Sequence, residues 1–485
     1  MEFHTVVIGA GFSGLGMAIQ LKRDGRDDFV VLEKADDVGG TWRDNTYPGC
    51  ACDIQSHMYS FSFAQNPSWT RSYSAQPEIW QYLRDIVDRY RLREHLRFGV
   101  EVEAARWDSD ELRWHVTTSA GEYTARFLVL GIGALHVPNI PALPGIERFQ
   151  GEVFHSARWN HDYDLTGKRV AVVGTGASAI QFVPRIAPDV AELTIFQRTP
   201  PWIIPKADHP VPGWARSLFR LVPGVQRLYR DLIFWLLEAR ALGFNGHPRL
   251  MRLLARAALA NMSRTIQDPE LRRKLTPDYL MGCKRILLAN DYYPALNRDN
   301  VTVNTAGIAA VAEGGIVDGD GVEHRADAII YGTGFHVTDA SEYHLDITGV
   351  DGRDLAKEWR RHGLHTHLGI TVAGYPNLFF LLGPNTALGH NSVVFMIESQ
   401  IRYVAQAMAL ADRTGSAALD TKESAQAEFQ SDIQRRLVGG VWTRGGCRSW
   451  YLDSRGVNRA IWPGFAWRYW LRTRTLDPST FELVG

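Results

Sequence analysis

The stretch Val6-Val-Ile8-Gly9-Ala10-Gly11-Phe12-Ser13-Gly14 decides the fold of this 485-residue chain. An apolar strand runs into three glycines at fixed spacing, and a helical pattern continues through Leu21. Strand, tight turn and helix in that order build a dinucleotide site. Gly9 permits the turn, Gly11 lets the backbone approach a pyrophosphate, and Gly14 lets helix pack on strand. The N–H groups left unpaired in the first helical turn, which carries Phe12 and Ser13, then face the phosphates. A second strand, Phe29-Val-Val-Leu32, ends in Glu33 and Lys34. A carboxylate in that place accepts hydrogen bonds from ribose hydroxyls. A glycine turn alone can be a turn without a ligand; set between two strands, with a terminal acid, it predicts one.

The pattern repeats downstream. Lys168-Arg-Val-Ala-Val-Val173 leads into Gly174-Thr175-Gly176-Ala177-Ser178, and Leu193-Thr-Ile-Phe196 makes the next strand. Arg198, followed by Thr199, stands at the same distance from Gly174 as Glu33 does from Gly9. An acid there repels a 2′-phosphate, whereas a guanidinium grips one. The expectation is FAD in the first unit and NADP(H) in the second. A solvated strand-end charge is the plainer alternative for Arg198.

Between the units lies Gly39-Gly40-Thr41-Trp42-Arg-Asp-Asn-Thr-Tyr47-Pro-Gly49-Cys50-Ala-Cys52-Asp53, rich in turn formers and therefore a loop. It starts soon after the ribose-binding strand, so it is expected to run along the flavin. Trp42 and Tyr47 could be ordinary core aromatics. Asp53, a carboxylate in an apolar loop, needs a partner. Three further runs stand out. Phe149-x-Gly151-x-x-x-His155-x-x-x-Trp159 precedes the second unit, Lys284-Arg285 precedes Tyr292-Tyr293 and Asn297-Arg-Asp-Asn-Val301, and Gly446-Cys-Arg-Ser-Trp450-Tyr451 comes near the end.

Together these runs resemble the fingerprints of the Baeyer–Villiger monooxygenases, the type I flavoproteins that use FAD and NADPH. The match extends over nearly the whole chain and departs at Asn160, where the family usually has Pro or Asp. The resemblance implies an α/β fold of two dinucleotide-binding, Rossmann-like domains with a helical insertion. It assigns the loop from Gly40 to Asp53 to the flavin, Arg285 to catalysis, Asp53 to orienting that arginine, Lys284 to the 2′-phosphate and Trp450 to the nicotinamide side. It also implies the chemistry. NADPH reduces FAD, O2 adds at the flavin C4a position, and the peroxide attacks a small-molecule ketone to give an ester or lactone. A guanidinium suits the anionic oxygen because it stays charged without surrendering a proton.

The chain divides on this reading into FAD-binding residues 1–140, NADP-binding residues 141–204, a helical insertion over 205–275, NADP-binding residues 276–325, and FAD-binding residues with a tail over 326–485. The insertion's apolar faces, around Trp235-Leu-Leu237 and Leu250 to Leu259, are expected to pack on the body, with a membrane-surface or partner-binding role as the lesser alternative. Equal numbers of basic and acidic residues, 53 each, give no electrostatic reason to expect nucleic acid or an anionic membrane. No stretch reaches the ~20 apolar residues of a membrane span. Four scattered cysteines are too few for a disulfide framework and fit a reducing cytoplasm. No metal centre is expected, and oligomeric state is left open. Two rival enzymes share the nucleotide sites. An N- or S-oxidising flavin monooxygenase is disfavoured by His155 and Arg285 in their motif settings. A disulfide reductase would use Cys50 and Cys52, which a single intervening residue pairs poorly. A protein that only binds FAD and NADP is the non-enzymatic alternative.

Overall fold

Val6 and Val7 are wholly buried at the centre of the strand Glu2–Ile8. Strands this apolar belong inside a parallel sheet covered on both faces. Glu2–Ile8 pairs in parallel with Phe29–Glu33 on one side and Gly121–Leu130 on the other. The computed structural model describes residues 1–244, 248–337, 345–447 and 449–485. Among these, Leu96–Phe98 closes one end of the first sheet. An antiparallel run of Val102–Asp108 and Arg113–Thr118 extends the other, joining the first half of Gly121–Leu130. Leu378–Phe380 pairs with the second half of that strand. The helix Phe12–Arg23 packs on Val393–Thr414, so a late helix covers the first unit and the FAD-type sheet is assembled from both ends of the chain.

The second sheet is wholly parallel, in the order Val301–Asn304, Glu192–Phe196, Arg169–Val173, Ala328–Tyr331 and Glu152–His155. Ala328–Tyr331 therefore lies in the second unit, not in the 326–485 segment assigned to the first. An apolar run ending in glycine reads alike in either unit, and only its distant pairing partners decide. The two glycine turns make the equivalence concrete. At Gly9, with φ +96°, an added Cβ would lie 2.8 Å from the Gly131 carbonyl oxygen; at Gly174, with φ +103°, it would lie 2.7 Å from that of Gly332. Gly332 is thus the counterpart of Gly131.

The region expected to be helical holds the helices Gly213–Leu221, Pro223–Phe244, Pro248–Thr265 and Pro269–Leu275. Their packing differs from expectation. Leu237, Met251 and Ala258 are buried, but Trp235, Leu236, Leu250, Leu253 and Leu254 face solvent. The docked side of Pro223–Phe244 buries Ile233, Leu237 and Phe244 and adds polar anchors. Arg230 Nη1 donates to the carbonyls of His57, Met58 and Ser60 at 2.7, 3.2 and 2.9 Å. Gln226 donates to the Asn66 carbonyl, and the Glu238 carboxylate accepts from Asn391 and His390. The tail adds the helix Ala466–Thr473 and the strand Phe481–Val484, which pairs with Ala418–Thr421.

The units meet through the loop between Gly39 and Asp53. Gln181, in the helix Ala179–Ile186 just past the second glycine turn, accepts from Tyr47 Oη at 2.9 Å and brackets the Ala51 backbone on both sides. Gly49 sits at φ +82°, where an added Cβ would come within 2.7 Å of the Gln181 carbonyl oxygen and 2.9 Å of Arg185 Cγ. Gly49→Ala is expected to cost about 2–4 kcal/mol through backbone strain and overlap together. Gly167→Ala, at φ +68° with open space around it, should cost only about 1–2 kcal/mol. Equal losses of melting temperature in the two variants would show that the contact at Gly49 carries no strain.

Candidate active site

Asp53 ends the inter-unit loop, and Arg285 lies just before the short strand Leu287–Leu288 that pairs with Ile203–Ile204. The fold brings them into a bidentate ion pair: Arg285 Nε donates to Asp53 Oδ2 at 2.7 Å and Nη2 to Oδ1 at 2.8 Å. The side chains keep 29% and 27% exposure, so solvent reaches the pair. The Asp53 charge pushes the Arg285 pKa up, so the guanidinium stays charged at any working pH. Burial alone would raise the Asp53 carboxyl, but the charge and hydrogen bonds of Arg285 outweigh it and hold the pKa below the usual range. Lys206, Tyr451 and Cys52 also act electrostatically on this pair. Lys206 stands in no glycine turn or fingerprint and so was not legible as a site residue, and Tyr451, though it adjoins Trp450, was not singled out because its approach to Arg285 depends on the fold.

At the first glycine turn, Gly11 caps the helix Phe12–Arg23, and an added Cβ on Gly40 would lie 3.4 Å from Gly11 Cα. Two side-chain-free backbones thus face each other, a cradle suited to a pyrophosphate. Glu33 Oε2 accepts from the Ala10 N–H at 2.8 Å, and Oε1 accepts from Ala35 and pairs with Arg43. The carboxylate is thereby aimed at the turn, with lone pairs to spare for hydroxyls. Phe12, Ser13 and Gly14 are buried in the first helical turn, while Lys34 points outward to Glu101. Thr41 opens the helix Thr41–Asp44, and Trp42 Nε1 donates to Tyr59 Oη at 3.1 Å.

At the second turn, Thr175 is buried with its hydroxyl on the Thr199 carbonyl, whereas Gly176 and Ala177 are exposed and Ser178 half-exposed. Arg198 is exposed and has no carboxylate partner among the described residues. Burial lowers the Lys284 pKa, and the nearby Arg198 charge lowers it further. Two cations held close against their mutual repulsion fit a phosphate. The fingerprint residues pack within the second unit, next to its seam with the first. Phe149 and Gly151 pack where Asp327 passes, and an added Cβ at Gly151 would meet its carbonyl oxygen at 2.4 Å. Trp159 packs on Phe154 and Phe182, and the adjoining His161 bonds Thr46 at 2.7 Å. His155 ends its strand beside Tyr331 and Phe335. Burial pushes its pKa down to about 4. Its Nδ1 accepts from the Ala157 N–H, so the neutral ring carries its proton on Nε2.

Cysteine usage departs from expectation in one pair. Cys283 and Cys447 form a disulfide, with Cα atoms 6.2 Å apart across 164 residues of sequence. The fold brings the segment before Lys284 against the one before Trp450, which linear spacing does not reveal. Trp450 is half-exposed and packs on Tyr451 with ring centroids 4.3 Å apart; Arg448 of that segment lies outside the described residues. Cys50 and Cys52 are free, buried thiols. Burial pushes Cys50 up to about 12 and Cys52 higher still, so neither is a thiolate nucleophile near neutral pH.

Two glycine turns, an acid in one ribose position, a pair of cations near the other and a charged arginine between them define a flavin- and pyridine-nucleotide-dependent oxidoreductase. A model of the pyridine nucleotide-disulphide oxidoreductase family matches residues 6–212, spanning both turns. A Baeyer-Villiger monooxygenase of Pseudomonas aeruginosa is 53% identical over 482 residues, 99% of this chain and 91% of that protein. The structure of cyclohexanone monooxygenase from Rhodococcus sp. Phi1 bound to NADP+ superposes with TM-score 0.90 at 31% identity, over 100% of this chain and 99% of that one. The structure of OTEMO in complex with FAD and NADP gives 0.89 at 27%, over 99% of both chains. The chain belongs to the Baeyer–Villiger monooxygenase family. With both thiols inert, Cys50→Ser/Cys52→Ser is expected to keep bound flavin and ketone-dependent NADPH oxidation. Loss of turnover with flavin content and melting temperature intact would restore the reductase reading.

Proposed function

We propose that the chain inserts one atom of O2 beside a ketone carbonyl, giving an ester or lactone at the expense of NADPH, with Arg285 as its catalytic residue. The observation that carries this reading is the bidentate Asp53–Arg285 pair, which sets a permanent planar cation where the flavin loop meets the NADP unit. Bound flavin supplies hydride acceptance and oxygen activation; the protein supplies placement and charge. Gly9, Gly11 and Gly14 admit the FAD pyrophosphate, with Gly40 opposite, and Glu33 takes the ribose. Gly174, Thr175, Gly176, Ala177 and Ser178 admit that of NADP, and Arg198, Thr199 and Lys284 receive its 2′-phosphate. Arg285 stabilises negative charge that develops on oxygen during attack on the ketone and gives up no proton in doing so. Asp53 fixes the plane of that guanidinium, since a bidentate pair leaves it one orientation. Trp450, tethered through the Cys283–Cys447 bridge, covers the nicotinamide side. Dependence on NADPH, a cofactor kept inside cells, supports a cytoplasmic site of action.

Two substitutions test separate parts of this reading. Arg198→Ala removes a charge-assisted contact worth ~1.5–3 kcal/mol. The KM for NADPH should rise roughly tenfold or more while NADH kinetics stay nearly unchanged; equal losses for both cofactors would place Arg198 outside the phosphate site. Arg285→Ala should retain FAD and still accept hydride from NADPH, but lose ester formation by about 10²–10³-fold, with oxygen released as hydrogen peroxide. Arg285→Lys keeps the charge without the fork and should recover little. Ester yield per NADPH equal to the parent's in Arg285→Ala would make this arginine structural.

A further inference from the structure

The helical insertion wears its apolar residues outward. On Gly213–Leu221 the residues Trp214, Leu218 and Leu221 share one face at helical spacing, with Trp214 72% and Leu221 80% exposed. On Pro223–Phe244 the stripe continues through Leu228, Leu232, Trp235, Leu236 and Leu242, again i, i+4, i+7 and onward, with Leu228 70% exposed. On Pro248–Thr265 it is Leu250, Leu253 and Leu254. Rotation of the central helix cannot relieve this exposure. Its opposite side is committed to the buried Gln226, Arg230 and Glu238, each held by named partners. An apolar surface continued over three mutually packed helices exceeds what a monomer leaves to water without use.

Charge tells what covers it. Residues 213–265 contain nine arginines, no lysine and two acids, a formal +7 in a chain that is otherwise balanced. One of the acids, Glu238, is buried against His390. Arg227, Arg240, Arg249 and Arg256 are exposed without a carboxylate partner among the described residues. A second copy of this chain brought onto the face by a two-fold axis would set arginines against arginines. A nucleic acid would leave the leucines in water. Leucine and tryptophan between unpaired arginines match an acyl boundary beneath anionic headgroups, with the helices lying in the interface. No helix among the described residues is long and apolar enough to cross a membrane, so the contact is peripheral. We infer that the insertion docks the enzyme on an anionic lipid surface through the apolar stripe of its three helices and their flanking arginines.

The test is co-sedimentation of the FAD-loaded enzyme with vesicles of phosphatidylcholine alone or mixed equally with phosphatidylglycerol. The parent should bind the mixed vesicles at low ionic strength and leave them as salt is raised. Leu232→Ser/Trp235→Ser/Leu236→Ser should bind at least about tenfold less, with melting temperature and ketone-dependent NADPH oxidation unchanged. Arg227→Gln/Arg240→Gln/Arg249→Gln should lose the preference for the anionic mixture. A parent that stays in the supernatant, or variants that bind as it does, would overturn the proposal. A parent dimer in solution, broken by the serine variant and without affinity for vesicles, would overturn it equally and assign the face to a second copy.

Discussion

The bond between Asp53 and Arg285 is the constraint on which the arrangement of the two nucleotide units rests. Either charge alone in its half-buried setting is costly, and removing one partner of such a pair leaves the other uncompensated. The partners come from different units, 232 residues apart in sequence. Each unit therefore presents a charge that only the other can satisfy. The contacts around the pair act in the same sense. Gln181 reaches from the second unit to both sides of the Ala51 peptide, and His161 reaches Thr46 in the same loop. One loop, running from the first ribose-binding strand to Asp53, thus carries most of the polar wiring between the cofactor sites. A reaction that must pass a hydride from one bound nucleotide to another needs that registry.

Much of the fold was legible because each dinucleotide unit announces itself locally. Gly9 and Gly174 demand left-handed backbone, and the apolar strands before them demand burial, so turn and strand can be read without knowing anything distant. Features set by long-range pairing were not legible. Ala328–Tyr331 looks like any buried strand ending in glycine, and its place beside Arg169–Val173 depends on a register no local pattern encodes. In the site, matched spacing singled out Arg198 and Glu33, and motif context Asp53 and Arg285; the fold joins Asp53 to Arg285 and turns Glu33 onto its own glycine turn. Lys34, the residue after the strand end, turns to the side its neighbours leave open, here toward Glu101.

The insertion defeated sequence reasoning for a different physical reason. Amphipathic periodicity says which residues share a face, but not which face meets protein. On Pro223–Phe244 Arg230 turns inward, where its guanidinium satisfies three carbonyls of the segment 57–60. Unpaired buried carbonyls are costly, so Arg230 went inward together with the apolar Ile233, Leu237 and Phe244 while other leucines stayed outside. That choice also places the insertion against the chain a few residues beyond Asp53.

The bridge between Cys283 and Cys447 bears on timing. Trp450 lies three residues beyond Cys447, and three residues of fully extended chain span at most about 10 Å. Whatever excursion the C-terminal segment makes between one substrate and the next, its indole stays on a short leash beside Lys284 and Arg285. Its return is then a local search through a small volume, at high effective concentration, rather than the recapture of a free chain end.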